Sequence, residues 1–230
     1  MTSERWTALA KVKTLDIEDG DQVTLIASTG GSKSTLVATL LLDAPSLVAI
    51  DTKGSLTYPN TKLLELPPID SPKFAAAMEA LRTTPRIIVR PHALEVENLD
   101  TYERIFEAIY NRGPTQVWID EVGAIAKTST VYPKWLGACS NRGRTRKITL
   151  LTCSQAAYGQ MPMCLRRNAN LAIFGVMIPT DVQQLPYDGI DAILDIRPKT
   201  GRFVLYRTGD QRPYALYIPV PKQLANWQAP

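Results

Sequence analysis

Between an apolar run at 22–27 and a helical pattern at 33–42 lies the stretch Ala27-Ser28-Thr29-Gly30-Gly31-Ser32-Lys33-Ser34-Thr35. Small residues ending in Lys-Ser, set between a strand and a helix, aim backbone N–H groups and the positive end of the helix dipole at one point. That point is a phosphate site. In such a loop Lys33 reaches β and γ phosphates, and Ser34 offers its hydroxyl to Mg²⁺. Gly30 and Gly31 let the backbone approach where a side chain would block it. Ser28, Thr29, Ser32 and Thr35 complete the predicted nucleotide-binding set. Ala27 and Ser32 stand where the usual G-x-x-x-x-G-K-[ST] pattern has glycines, so Ser32 is expected to adopt a glycine-like backbone, with Gly31 sharing the strain. A Gly/Ser-rich turn before an ordinary helix is the alternative reading of the stretch alone.

Further apolar segments recur at 47–51, 86–90, 116–120, 147–153 and 170–178, with helical patterns at 72–81, 101–111 and 131–141. Alternating strands and helices predict a mostly parallel sheet flanked by helices. The strand at 116–120 ends in Asp120 and Glu121. Adjacent carboxylates at a strand end can divide two tasks, Asp120 holding Mg²⁺ and Glu121 orienting and deprotonating the attacking water. Alone, the pair also reads as a solvated acidic turn. Gln155, just after the strand at 147–153, falls at the ligand crevice of a parallel sheet and is a candidate γ-phosphate sensor. Arg142 and Arg144, in the basic run just ahead of that strand, are candidate fingers for the phosphate of a neighbouring subunit, with Arg166 and Arg167 as second choice. Their alternative is a solvated charged edge.

The remaining chemistry is narrow. The 230 residues suit one α/β domain over 1–230, with a core at about 20–180 and a β-rich extension over 181–230. Within the extension, 202–206 and 214–220 read as a hairpin turned by Gly209, Asp210 and Pro213, while the proline-rich 59–72 reads as an irregular surface loop. No apolar run reaches the roughly 20 residues of a membrane span, and the N-terminus lacks a secretory pattern. One histidine and three dispersed cysteines exclude a Cys/His zinc cluster. His92 and the four tryptophans are expected to pack or lie at the surface. A net charge of +4 neither requires nor excludes nucleic acid.

Four strings together resemble the FtsK/HerA superfamily of DNA-pumping P-loop ATPases. They are Ser28 to Ser34, then Asp51-Thr52-Lys53-Gly54-Ser55-Leu56 as a D-x-K-G-x-L signature, then Trp118-Ile119-Asp120-Glu121, then Leu151-Thr152-Cys153-Ser154-Gln155. The likeness covers about 22–178. It implies a RecA/ASCE-like P-loop NTPase fold with a C-terminal β-hairpin, ATP and Mg²⁺ as cofactors, ATP hydrolysis, and a trans-acting arginine near Arg142 and Arg144. A motor core without added domains resembles the genome-packaging ATPases of tailless icosahedral viruses with an internal membrane. That implies a homo-oligomeric ring, taken as a hexamer, around double-stranded DNA. It also implies capsid or membrane-vertex partners, and residence in the host cytoplasm and at the virion vertex. Lys127 and Lys134 are candidate pore contacts, with ordinary surface lysines as the alternative reading. Filamentous-phage assembly or conjugation-type ATPases, a non-hydrolysing nucleotide-gated DNA or capsid scaffold, and a small-molecule phosphotransferase are the rival readings.

Overall fold

The computed structural model describes residues 4–12, 14–156, 161–198, 200–210, 212–224 and 227. A short helix α1 (Glu4–Ala8) and strand β1 (Ala10–Val12) precede the central strand β2 (Gln22–Ile26), which runs through the loop into α2 (Lys33–Leu40). There follow β3 (Leu47–Ile50), β4 (Lys62–Glu65), α3 (Phe74–Thr83), β5 (Arg86–Arg90), α4 (Leu99–Arg112) and β6 (Thr115–Ile119). The chain continues through α5 (Lys134–Arg146), β7 (Ile148–Ser154), α6 (Met163–Asn168), β8 (Leu171–Phe174) and α7 (Pro179–Val182), and ends in β9 (Arg202–Arg207) and β10 (Tyr214–Tyr217).

One ten-stranded sheet results, in the order β1-β10-β9-β8-β2-β7-β6-β3-β5-β4. Among the described residues only β9 runs against the rest, because it pairs antiparallel with β8 and β10 while every other pairing is parallel. The alternation of side chains along a strand explains why the central strands are apolar throughout. Val23 and Leu25, Leu47 and Ala49, Trp118, and Leu151 and Cys153 face α2 on one side. Val48 and Ile50, Val117 and Ile119, and Ile148 and Leu150 face α3, α4, α5 and α6 on the other. Both layers are needed to bury these strands, which is the three-layer arrangement expected of the α/β pattern.

Three expectations change, and the N-terminal segment adds elements that the sequence reading did not assign. The 59–72 segment is not irregular: Lys62–Glu65 forms the edge strand β4, in register with β5. Its outward position leaves Leu63 exposed, and Pro59, Pro67 and Pro68 bracket a strand too short to show periodicity. The N-terminal segment is structured, because buried Trp6 donates its indole N–H to the Phe203 carbonyl (2.9 Å) and Arg202 lies over its ring. The helix expected at 131–141 spans Lys134–Arg146, starting after Pro133 and ending at Lys147 in a left-handed turn. Arg142 and Arg144 are therefore helical residues, not part of a turn. The 170–178 strand stops at Phe174. The hairpin is present as β9 and β10, and it continues the sheet through β1.

Candidate functional site

The loop after β2 sits at the strand ends, beside the ends of β7 and β8. Ser32 caps α2 at φ 63°, ψ 21°, a left-handed backbone, and its side chain makes no capping hydrogen bond. Gly30 is also left-handed (φ 77°), whereas Gly31 is not among the positive-φ residues. Ser32 thus carries the glycine-like angles itself, and the expected relief by Gly31 does not occur. Gly31 is needed for space: a Cβ there would come within 2.8 Å of the Ala27 Cβ and 2.9 Å of the Ser28 carbonyl. Gly175, after β8, faces the same methyl, since its Cβ would also lie 2.8 Å from it. These two glycines make room for alanine at position 27. The Ser28 N–H donates to the Val176 carbonyl (2.7 Å), tying the loop to the end of β8.

Lys33 is buried, and its ammonium donates to the carbonyls of Ala27 and Ser28. Burial pulls its pKa below the ordinary lysine value, while nearby Cys153, Glu121 and Asp120 act in the opposite direction. β6 delivers Asp120 beside it, 3% exposed. Ser34 Oγ donates to Asp120 Oδ1 (2.9 Å), and Lys53 Nζ pairs with Asp120 Oδ2 (3.1 Å). Glu121 turns the chain into a short 3-10 helix at Val122–Ala124, its Oε1 accepting from the Gly123 N–H (3.4 Å). Its Oε2 is buried without a hydrogen-bond partner. Gln155 Oε1 accepts from Thr29 Oγ1 (3.2 Å), so the expected sensor residue does meet the loop.

The Asp51 to Leu56 string has a structural cause. Buried Asp51 at the end of β3 accepts from the N–H groups of Gly54 (2.8 Å) and Leu56 (3.0 Å) and pairs with Arg90 Nη2 (3.0 Å). That closes a turn which points Lys53 at Asp120. Neither Asp51 nor Lys53 is assigned a role by the motif reading; the available signal was a carboxylate and a lysine at the end of a buried strand, at the crevice edge.

The arginines lie elsewhere. The last turn of α5 leads into the start of β7, which runs parallel to β2, so Arg142 and Arg144 sit at the opposite end of the sheet from Lys33. Arg142 is exposed and hydrogen bonds the Tyr110 hydroxyl, lowering the tyrosine's pKa. Arg146 stacks on the Tyr110 ring at 4.2 Å. Arg144 is exposed. Arg166 and Arg167 end α6, ahead of β8, and line a pocket over the face of β2 and β8 with Thr24, Ile26 and Phe174. None of the four is brought to the loop of its own chain. Lys127 and Lys134 are exposed after β6, on the strand-end side. His92 accepts from the Leu94 N–H as a helix cap, Trp6 and Trp118 are buried, and Trp135 and Trp227 pack on Tyr110 and Trp118, the packing or surface positions expected of them.

These residues fit a nucleoside triphosphate with a divalent cation. The first amides of α2 have no partner inside the helix, and Ser34 and Asp120 are hard oxygen donors of the kind Mg²⁺ takes alongside phosphate. Glu121, close enough to Lys33 to act on its charge, keeps Oε2 buried without a hydrogen-bond partner, so that oxygen can accept from a water. No protein-family model and no curated protein matches the sequence. Solved structures do match it in fold. The genome packaging NTPase B204 from Sulfolobus turreted icosahedral virus 2, in complex with sulfate, is 15% identical over 88% of this chain and 98% of that one, with a TM-score of 0.68. Its complex with AMPPCP is 17% identical over 88% and 100%, at 0.65. The pCW3 conjugation coupling protein TcpA is 14% identical over 91% and 65%, at 0.58. The chain thus has the P-loop NTPase fold shared by viral genome-packaging and conjugation proteins.

Proposed function

We propose that this chain is an ATPase that pumps double-stranded DNA into a preformed viral capsid as a homo-oligomeric ring. The observation that carries the reading is the convergence of Lys33, Ser34, Asp120, Glu121 and Gln155 on one loop at the strand ends. The fold likeness to a packaging NTPase solved with AMPPCP and ATP-gammaS supports it. In this account Lys33 exchanges its two carbonyl partners for phosphate oxygens, and Ser34 with Asp120 would hold Mg²⁺, which would supply charge neutralisation to the triphosphate. Glu121 accepts a proton from the attacking water through its unpaired Oε2, and Gln155 links the γ-phosphate to Thr29. Arg142 or Arg144, at the far edge of the sheet, serves the site of the next subunit, as a finger supplied in trans requires. Lys127 and Lys134 contact DNA phosphates in the ring's centre. The protein works in the host cytoplasm and at the capsid vertex.

The test is steady-state phosphate release with and without double-stranded DNA, with Lys33→Ala as control. DNA-stimulated turnover that the control lacks supports the motor; turnover indifferent to any nucleic acid counts against it. The likeness to the coupling protein TcpA favours one alternative, a conjugation-type ATPase. Stimulation by single strands in preference to duplex would select it.

A further inference from the structure

Asp120 has both carboxylate oxygens engaged, Oδ1 by the Ser34 hydroxyl and Oδ2 by the Lys53 ammonium. The two partners differ in how firmly they are held. Ser34 lies in the first turn of α2, fixed by the helix. Lys53 reaches in from an exposed turn, and its side chain is 41% exposed while Asp120's is 3% exposed. The backbone beneath Lys53 is rigid, because Asp51 holds Gly54 and Leu56 and is itself held by Arg90. A long side chain on a fixed turn can leave one partner for another without moving the fold. Lys53 is also close enough to Lys33 to oppose its charge. Two ammonium groups therefore share a crevice with two carboxylates, Asp120 and Glu121, and a divalent cation arriving at Asp120 meets an oxygen that already holds a cation. Like charges at that range repel strongly where burial limits screening.

We propose that Lys53 is an exchangeable counter-ion of Asp120, which it releases when a divalent cation binds there, turning its ammonium to the triphosphate. The inference rests on reading the crevice as a metal–nucleotide site. It makes Lys53 a positioning residue that couples metal loading to recognition of the γ-phosphate, and it explains why the turn carrying Lys53 is built so firmly.

The experiment is a titration of Mg²⁺ against binding of a fluorescent ATP analogue and its diphosphate counterpart, in wild type, Lys53→Met and Lys53→Gln. With the competing ammonium gone, half-saturating Mg²⁺ falls about fivefold in both variants, and the preference for triphosphate over diphosphate narrows. Lys53→Arg, which keeps the charge, stays near wild type. If the Mg²⁺ midpoint is unchanged or raised in both neutral variants while wild type binds normally, the Lys53 proposal fails and the site reading stands. If wild type shows no Mg²⁺-dependent nucleotide binding, both fail together.

Discussion

Ser32 occupies a left-handed conformation that a β-carbon makes unfavourable by about 1–2 kcal/mol. Because its hydroxyl makes no capping bond, Ser32→Gly loses little there. The variant is expected to be more stable by about 0.5–1 kcal/mol, after glycine's greater unfolded-state entropy is subtracted, as read by urea unfolding. Equal or lower stability would mean that the serine is held by contacts absent from this account. The neighbouring departure, Ala27, behaves differently, since its methyl fills space left by Gly31 and Gly175. Gly175→Ala should therefore destabilise by about 1–3 kcal/mol through overpacking, and adding Ala27→Gly should recover part of that loss. These loop residues were legible from their order alone, as were Asp120, Glu121 and Gln155. The role of Lys53 was not, because a lysine three residues past the end of β3 looks like any surface lysine until its turn is seen to fold back on Asp120.

The turn after β3 is held by Asp51, a carboxylate with two backbone donors and one arginine in a buried position. Asp51→Ala leaves Arg90 and two N–H groups short of a partner. It is expected to cost about 3 kcal/mol in denaturant unfolding, whereas Glu65→Ala, which removes an exposed partner of Arg90, should cost less than 1 kcal/mol. The α4–α5 contact gives a pH signature. Burial pushes the Cys139 thiol from 9.0 up to about 12, where it lies against the Phe106 carbonyl. A folded pKa raised above the unfolded one stabilises below pH 9 and is lost as pH climbs towards 12. Stability should thus fall over that window, and less steeply in Cys139→Ala. Helices and long strands were readable because their apolar periods extend over several residues. β1 and β4 were not, since three or four residues at a sheet edge bury too little to leave a pattern.

At the scale of the whole molecule, the parallel sheet puts loop, acids and sensor at one end and the α5 arginines at the other. Among the described residues neither Arg142 nor Arg144 lies at the loop of its own chain, and in the proposed ring a neighbour stacked end to edge would bring one there. Arg142→Ala or Arg144→Ala, whichever removes the finger, is accordingly expected to lower turnover in assembled protein while leaving nucleotide binding intact. If both variants turn over normally, the trans arrangement is wrong. The architecture was readable from alternating strands and helices, but the helical placement of both arginines was not, because α5 runs five residues past the expected end at 141, through Arg142-Gly143-Arg144-Thr145-Arg146, where no large apolar side chain marks a helical period. The most direct test of the central claim is Glu121→Gln, compared with wild type for nucleotide binding and phosphate release. Glutamine keeps the shape and cannot take a proton, so binding should persist while steady turnover drops by about 10²–10⁴-fold. Undiminished turnover would contradict the account, since Glu121 is the group assigned to take the proton from the attacking water.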